Sequence, residues 1–478
     1  MSKLVFAGRL ERGFAALYAA LCLPRAARRC LLALLAIHSS LLAYSAYVHS
    51  PTLNEPGHLV AGLSFWKFGR FDLYRNNPPL VRMVAALPVM AAGYEEDWSG
   101  FYEGPGAQPA FGMGEDFVKA NGERTFFLMM IARWACIPFG WIGAITCFLW
   151  ARDLYGRPAG VLAATIWCFE PNILAHASLI TSDAAGTALG VAACYTFWRW
   201  LRRPTWTQAA LTGVVLGLAE LCKSTLIVFY PLWPAMWLVF RWRDRQSMTG
   251  RDWLREAGML ALRMIVGLYV LNLGYGFEGS FKPLKEFVFV SDPLAHSSNR
   301  FAGTWLGELP MPFPNHYILG LDEQQKSFEH WGGSAYLRGE WRDTGWWYYY
   351  LYAAAIKVPL ALWLMGGLAL AYRLFDRRSV PLADNTLSVE GKVPSPTGGG
   401  QGRGSFRDEF ILLFPGLFIF AFVSSQTGIN EHFRYALPAF PYFFIAISQI
   451  TQLAHSSGFS PPNVLIDLEP QFHSLPKR

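Results

Sequence analysis

Runs of apolar residues long enough to cross the hydrocarbon core of a bilayer recur along the whole chain. A spanning helix needs about 20 such residues. Ten segments fit, at roughly 31–48, 126–150, 158–175, 184–201, 207–222, 225–240, 258–275, 346–372, 410–425 and 436–453. Only Lys223 and Ser224 separate the fifth from the sixth. The expected fold is therefore an all-α, polytopic integral membrane bundle of about ten transmembrane helices. Composition agrees, because 16% of residues are charged, against about 25% in soluble domains. The 19 Trp and 20 Tyr suit the bilayer–water boundary, where an apolar ring meets a polar tip.

The net charge of +7 does not point to nucleic acid, because the basic residues lie mainly in the connections between apolar blocks. Arg25, Arg28, Arg29, Arg152, Arg157, Arg202, Arg203, Arg243, Arg245, Arg377 and Arg378 fall in alternate connections. By the positive-inside rule these face the cytoplasm. Two long connections, about 49–125 and about 276–345, then lie outside, and both are rich in Trp, Phe, Pro and Gly. Within the first, Val81 to Ala92 is apolar but too short to span, and reads as an amphipathic interfacial helix. The stretch 31–48 follows Arg25, Arg28 and Arg29 but lacks a small-x-small cleavage site, so a retained first helix is expected.

One membrane module is expected over 1–375, with its last two helices at 409–455. A flexible cytoplasmic linker at 376–408 contains Pro394, Pro396 and the run Thr397-Gly398-Gly399-Gly400, and a cytoplasmic tail covers 456–478. Five of seven cysteines (Cys136, Cys147, Cys168, Cys194, Cys222) sit in apolar blocks and no Cys-x-x-Cys occurs. A disulfide framework or thiolate zinc site is not expected.

Sorting ionisable residues by topology isolates an outer set. Asn54-Glu55-Pro56-Gly57-His58 follows the first helix, and Asp183 ends the outer turn after Ser178. A carboxylate where an apolar helix meets water is partly desolvated, which suits proton transfer. An acid at a helix start also caps free N–H groups, and Asp183 fits that reading equally well. Glu431-His432-Phe433-Arg434-Tyr435 fills the short outer turn between the last two helices, and Arg434 offers a forked donor suited to phosphate. Lys223 lies at another outer turn, while Lys357, Arg133 and Arg263 fall inside apolar blocks. An intramembrane cation is paired, functional or snorkelling. Pairing of Lys223 with Glu220 is one bland option.

These pieces resemble the protein O-mannosyltransferase and aminoarabinose-transferase group, glycosyltransferase-39-like proteins within the GT-C membrane glycosyltransferases. Glu55, His58, Gly62 and the later Asn77-Pro78-Pro79-Leu80 are similar to its acidic motif and Pro-Pro-Leu. Pro171-Asn172 through His176 to Asp183 is similar to its second acidic segment. Gly213, Gly217-Leu218-Ala219 and Lys223 resemble its Gly-Leu-x-Lys helix, and Arg434-Tyr435-Ala436-Leu437-Pro438 its late Arg-Tyr-x-x-Pro turn. One departure matters: where the family usually has Asp before Glu, this chain has Asn54, and an amide cannot act as a base.

The resemblance implies a GT-C-like fold in a cell inner membrane and an inverting transfer of sugar from a polyprenyl-phosphate donor to an acceptor hydroxyl, outside the cytoplasm. It implies Glu55 and Asp183 as catalytic carboxylates. Asn54, His58, His176, Lys223, Lys357, His432, Arg434 and Tyr435 would bind substrate. The partners would be the lipid-linked donor, an acceptor of unspecified class and membrane lipids, without nucleic acid. A divalent metal on Glu55, His58 and Asp183 stays open. So do a transporter or lipid flippase, for which Lys357 speaks, and a catalytically silent GT-C-like protein, for which Asn54 speaks.

Overall fold

A computed structural model describes residues 13, 15–295, 299–329, 335–376, 406–426, 430 and 432–453. Nearly all regular structure is helical; one short antiparallel hairpin pairs Ala335–Leu337 with Glu340–Arg342. The linker, apart from its two ends, and the 456–478 tail lie outside the described residues.

Each of the ten apolar segments contains helix, but the helices do not all have spanning length. Among the described residues four helices are long and apolar enough: Pro24–Val48, Arg124–Tyr155, Gly250–Gly274 and Phe406–Ser425. Counting two bent pairs as one span each gives up to six. The other apolar blocks fall short of spanning length as single helices because backbone breaks divide them. Pro171 starts a new helix after the extended Glu170, and residues Ser224–Val228 form a 3-10 turn. The 346–372 block divides into Tyr349–Lys357 and Leu360–Leu374, bent by 104°.

The Ser182–Arg202 helix is central and is buried along nearly its whole length. Its sequence allows this: Ala184, Ala185, Gly186, Ala188 and Gly190 supply a small-residue face against which other helices close. The Trp206–Glu220 helix uses the same device against Gly250–Gly274. A Cβ on Gly213 would sit 2.6 Å from the Arg263 carbonyl oxygen, and one on Gly217 2.5 Å from that of Gly267. This is small-xxx-small packing, in which bare backbone lets helices approach where lipid gives no hydrophobic drive.

The first long connection is itself helical, with Glu55–Phe68, Leu80–Ala92 and Ala110–Asn121. The expected short helix at 81–92 is present and turns Val81, Ala85, Ala86 and Val89 into the core. Arg82, wholly buried, fixes the loop before it, donating to the carbonyls of Tyr74, Asn77 and Pro78. In the second connection, Asn315–Glu329 is the longest helix. Arg75 from the first connection clamps it through Glu323 at 2.7 Å and His316 at 3.1 Å.

Candidate active site

Three breaks in the helical backbone meet around one cavity of about 660 Å³. They are the turn leading into Ser182–Arg202, the turn after Trp206–Glu220, and the 3-10 segment Phe433–Ala439. They deliver Asp183, Lys223 and Arg434 respectively.

Asp183 lies in the first turn of its helix, where the backbone N–H groups favour negative charge. It does not cap that helix. Thr181 holds the N-cap position and makes no side-chain capping bond. The Asp183 carboxylate instead takes a 2.5 Å hydrogen bond from Lys223 Nζ and stands 3.7 Å from Arg434 Nε. Lys223 reaches it because Gly186, one turn further on, has no side chain: a Cβ there would lie 2.7 Å from Lys223 Cβ. Glu220, the other partner considered for Lys223, is engaged by Tyr230. Tyr435 packs between these cations, its ring 5.9 Å from Lys223 Nζ and 5.7 Å from the Arg434 guanidinium. The His432 ring stands 5.8 Å from it.

The first outer connection forms the facing wall. Asn54, His58, Tyr74, Asn76 and Asn77 line the cavity. His58 is buried, edge-on to Tyr74 at 4.9 Å. Burial, and then the positive charge of Arg82, push its imidazole down to about 3, against the pull of Asp183. It is therefore neutral at physiological pH. Asn77 accepts from Ser182 Oγ at 2.9 Å, and Leu80 N–H donates to the Leu221 carbonyl at 3.0 Å. The Asn-Pro-Pro-Leu stretch thus braces the helix ends that carry Asp183 and Lys223.

Glu55 is placed otherwise than expected. It does not line the cavity. Fully buried, it receives Arg133 Nε at 2.9 Å and Nη2 at 2.6 Å. It also accepts from the Thr52 and Ile180 backbone N–H groups. With both oxygens occupied, it joins the first connection to the turn before Asp183. Of the pair Asn54-Glu55, the amide is the one that faces the cavity. Among the described residues that line it, Asp183 is the one carboxylate.

Lys357 is also displaced from expectation. It ends the Tyr349–Lys357 helix, is exposed, and lies 5.8 Å from the Phe433 ring rather than on the cavity wall. His176 and His432 do line the cavity. Of the trio Glu55, His58 and Asp183, Glu55 does not line the cavity, and no group of three or more His, Cys, Asp or Glu among the described residues is placed to hold an ion.

Residues that sequence reasoning passed over complete the wall. Tyr74, Asn76, Thr181 and Ser182 are polar, and Gln324 and Ser327 come from the second connection. Sequence alone does not assign Arg133: an intramembrane arginine requires a partner, but its partner Glu55 is 78 positions away, with Glu115, Asp116 and Glu123 closer in the chain. The opposite side is apolar, built from Leu226, Val228 and the Phe418, Ile419, Phe422 and Val423 face of Phe406–Ser425. Phe422 remains 43% exposed, so this wall continues onto the outer surface of the apolar Phe406–Ser425 helix.

Residues 127–269 match the family profile described as dolichyl-phosphate-mannose-protein mannosyltransferase. The match covers Asp183 and Lys223 and bears out the resemblance to that GT-C group. No curated protein sequence matches the chain. Among solved structures, ArnT from Cupriavidus metallidurans bound to undecaprenyl phosphate is similar at 15% identity with a TM-score of 0.47, over 88% of this chain and 59% of that one. The archaeal oligosaccharyltransferase AglB from Archaeoglobus fulgidus, in complex with an inhibitory peptide and a dolichol-phosphate, is similar at 13% identity with a TM-score of 0.46, over 87% and 50%. The chain thus spans between half and three fifths of the length of these proteins.

Proposed function

We propose that this chain is a membrane glycosyltransferase that moves a hexosyl or pentosyl unit from a polyprenyl-phosphate donor to an acceptor hydroxyl. The observation that carries the reading is the meeting of Asp183, Lys223 and Arg434 in one cavity whose far wall is apolar and runs out to the outer surface of the Phe406–Ser425 helix. The family profile, named for a lipid-phosphate sugar donor, supports the same class. The polyprenyl tail lies along Phe418, Phe422 and Val423. The donor phosphate binds Arg434 and Lys223, and so takes the place that the Asp183 carboxylate holds between them. Asp183, released from its cations, accepts the proton of the acceptor hydroxyl as that oxygen attacks the anomeric carbon. The bond from that carbon to the phosphate oxygen breaks, polyprenyl phosphate leaves with the electron pair, and the configuration inverts. Asp183 takes the part of base because Asn54, at the family's usual acid, has no proton affinity to offer. The site lies at the extracytoplasmic face in this reading, and no metal is assigned a role.

The test is donor turnover in liposomes, using tritiated polyprenyl-phosphate hexoses and pentoses with a mixed envelope extract as acceptor source. Wild-type protein should release polyprenyl phosphate, and Asp183→Asn should not. A well-folded wild-type protein that neither binds polyprenyl phosphate nor consumes any donor of the panel would refute the assignment.

A further inference from the structure

The hairpin of the second connection departs from the usual division between the faces of a half-covered sheet. Tyr336 pairs with Trp341 in register. Arg338 and Gly339 close the turn, both at positive φ (55° and 87°), the backbone hand that suits a two-residue hairpin loop. Side chains alternate between faces along a strand. One face carries Ala335 and Leu337, both buried in the main core. The other carries Tyr336 and Trp341, their rings 5.0 Å apart and the residues 53% and 69% exposed. An antiparallel sheet with one face on the core ordinarily turns polar side chains outward. Here the outward face is aromatic, and an aromatic face calls for a cover other than water.

The neighbours of the hairpin say what that cover is. The Arg338 guanidinium, at the tip, lies 5.9 Å from the Tyr352 ring, and that of Arg342 lies 5.2 Å from the Trp346 ring. The hairpin therefore sits against the start of the Tyr349–Lys357 helix, which together with Leu360–Leu374 is apolar enough to cross a membrane. Leu351, Ala355 and Ile356 form an exposed apolar stripe on that helix. Trp347, 71% exposed, stands one turn before Leu351 and heads the stripe. On a membrane helix such a stripe meets acyl chains, and Trp and Tyr beside its head suit the headgroup region. Charge adds no selectivity. Arg338, Glu340, Arg342 and Asp343 sum to zero, and Arg342 is paired with Glu340 at 2.9 Å. An anionic partner would find no net cationic surface here.

We propose that Tyr336, Trp341 and Trp347 form a membrane-interface contact, in which the hairpin lays its aromatic face into the lipid headgroup region and zwitterionic lipid suffices. The contact does not depend on the donor reading above. Its consequence is positional. In chain order the hairpin stands between the Asn315–Glu329 helix, which gives Gln324 and Ser327 to the cavity wall, and the Tyr349–Lys357 helix, which gives Tyr350. Lipid contact at the hairpin thus fixes two parts of that wall relative to the bilayer.

The experiment reads the surroundings of the hairpin in the full chain, in nanodiscs of phosphatidylcholine alone. Nitroxide labels are placed singly by Tyr336→Cys and Trp341→Cys, with Ser99→Cys as the water reference and Leu351→Cys as the lipid reference. Cys22 and Cys30 are changed to serine throughout. Collision rates are measured with oxygen, which concentrates in lipid, and with a water-soluble nickel chelate. The oxygen-to-nickel ratio at both hairpin sites should exceed that at Ser99 by at least about threefold, as for side chains sunk into the headgroup boundary. A smaller excess would show a hairpin in water, and low collision rates with both reagents would show a protein partner or a second copy. A ratio that rises only when phosphatidylglycerol is added would show an anionic-lipid site. Each of these outcomes overturns the proposal. The unaltered chain decides the matter where a labelled variant does not fold. Hydroxyl-radical oxidation of Trp341 and Trp347 in the same nanodiscs should be at least about tenfold slower than in the peptides released by digestion, because interfacial rings are withdrawn from water. Oxidation near the free-peptide rate would overturn it.

Discussion

Lys223 crosses the bare backbone of Gly186 to place its ammonium 2.5 Å from the carboxylate of Asp183, forty residues earlier in the chain. An acid so held is a poor base until something competes for the cation. A donor phosphate on Lys223 and Arg434 would be that competitor, so base strength would rise only with donor in place. Asp183→Asn should therefore lower turnover by roughly two orders of magnitude or more, the range that a general base supplies, while donor still binds. Asn54→Ala should cost less than about tenfold on the same scale. A parallel loss in both variants, measured as initial transfer rates in liposomes, would return the catalytic role to the acidic motif of the first loop.

Glu55 and Arg133 make the opposite case. Removing one partner of a buried ion pair leaves a desolvated charge and costs about 3–5 kcal/mol. Glu55→Gln should lower the melting temperature in detergent markedly, and Glu55→Gln combined with Arg133→Gln should recover part of the loss. Where Glu55→Gln protein is folded, its donor affinity should stay within about threefold of wild type. A stable Glu55→Gln protein without activity would place Glu55 in the chemistry after all.

Much of this arrangement was legible in the sequence, and the failures have physical causes. Hydropathy found a helix in each apolar block, because it reads composition, yet it missed the Glu55–Phe68, Ala110–Asn121 and Asn315–Glu329 helices and could not see where the backbone turns within an apolar block. It therefore marked ten blocks where four to six described helices or bent pairs have spanning length, and put Lys357 inside one block, whereas the residue ends one helix just before the 104° bend. Asp183, Lys223, Arg434 and His58 were legible because each sits beside a short motif at a helix end. Glu55 lies off the cavity because burial of a helix-start residue depends on its partner. Arg133 is 78 positions away, and nothing local shows that it turns Glu55 inward and leaves Asn54 on the cavity. Asn76 and Thr181 carry no charge, and nothing in the sequence marks them as part of the cavity wall.

His58 gives a signed pH dependence. Its folded-state value is depressed from an ordinary 6.5 to about 3. The unfolded chain therefore binds a proton that the folded chain does not, across the interval between those values. His58 is stabilising in its neutral form above about pH 6.5, and that contribution is lost progressively as pH falls towards 3. Thermal unfolding in detergent should show a drop in melting temperature from pH 7.5 to pH 5. His58→Gln should make that drop smaller, because glutamine does not titrate. An identical drop in the variant would mean that other groups account for the acid sensitivity.

The Lys and Arg distribution predicts an orientation in the membrane that is open to direct measurement. Ser99, exposed in the first long connection, and Ser247, exposed in the Arg-rich 242–249 connection, are convenient probes. In intact cells a membrane-impermeant maleimide should label Ser99→Cys and leave Ser247→Cys unlabelled until the membrane is opened. Five native cysteines are buried, and the partly exposed Cys22 and Cys30 are changed to serine in both probes to remove background. The reverse pattern would turn the cavity towards the cytoplasm and would remove the extracytoplasmic placement of the reaction.

Arg434 carries the most specific prediction about the donor. Its Nε makes no hydrogen bond among the described residues and stands 3.7 Å from Asp183. The guanidinium is thus near the acid but not locked to it, unlike Lys223. A guanidinium can give phosphate two parallel hydrogen bonds, whereas an ammonium presents a point charge. Arg434→Lys should therefore weaken donor binding while keeping the charge, and Arg434→Ala should weaken it further. Hydrogen bonds to charged groups are worth about 1.5–3 kcal/mol each, so the alanine variant should raise the donor Kd at least about tenfold. A purely structural Arg434 would instead yield poorly folded protein, with normal donor affinity in whatever fraction folds. Displacement of a fluorescent polyprenyl phosphate from folded Arg434→Ala protein separates the two: a Kd equal to that of wild type would exclude Arg434 from the phosphate site.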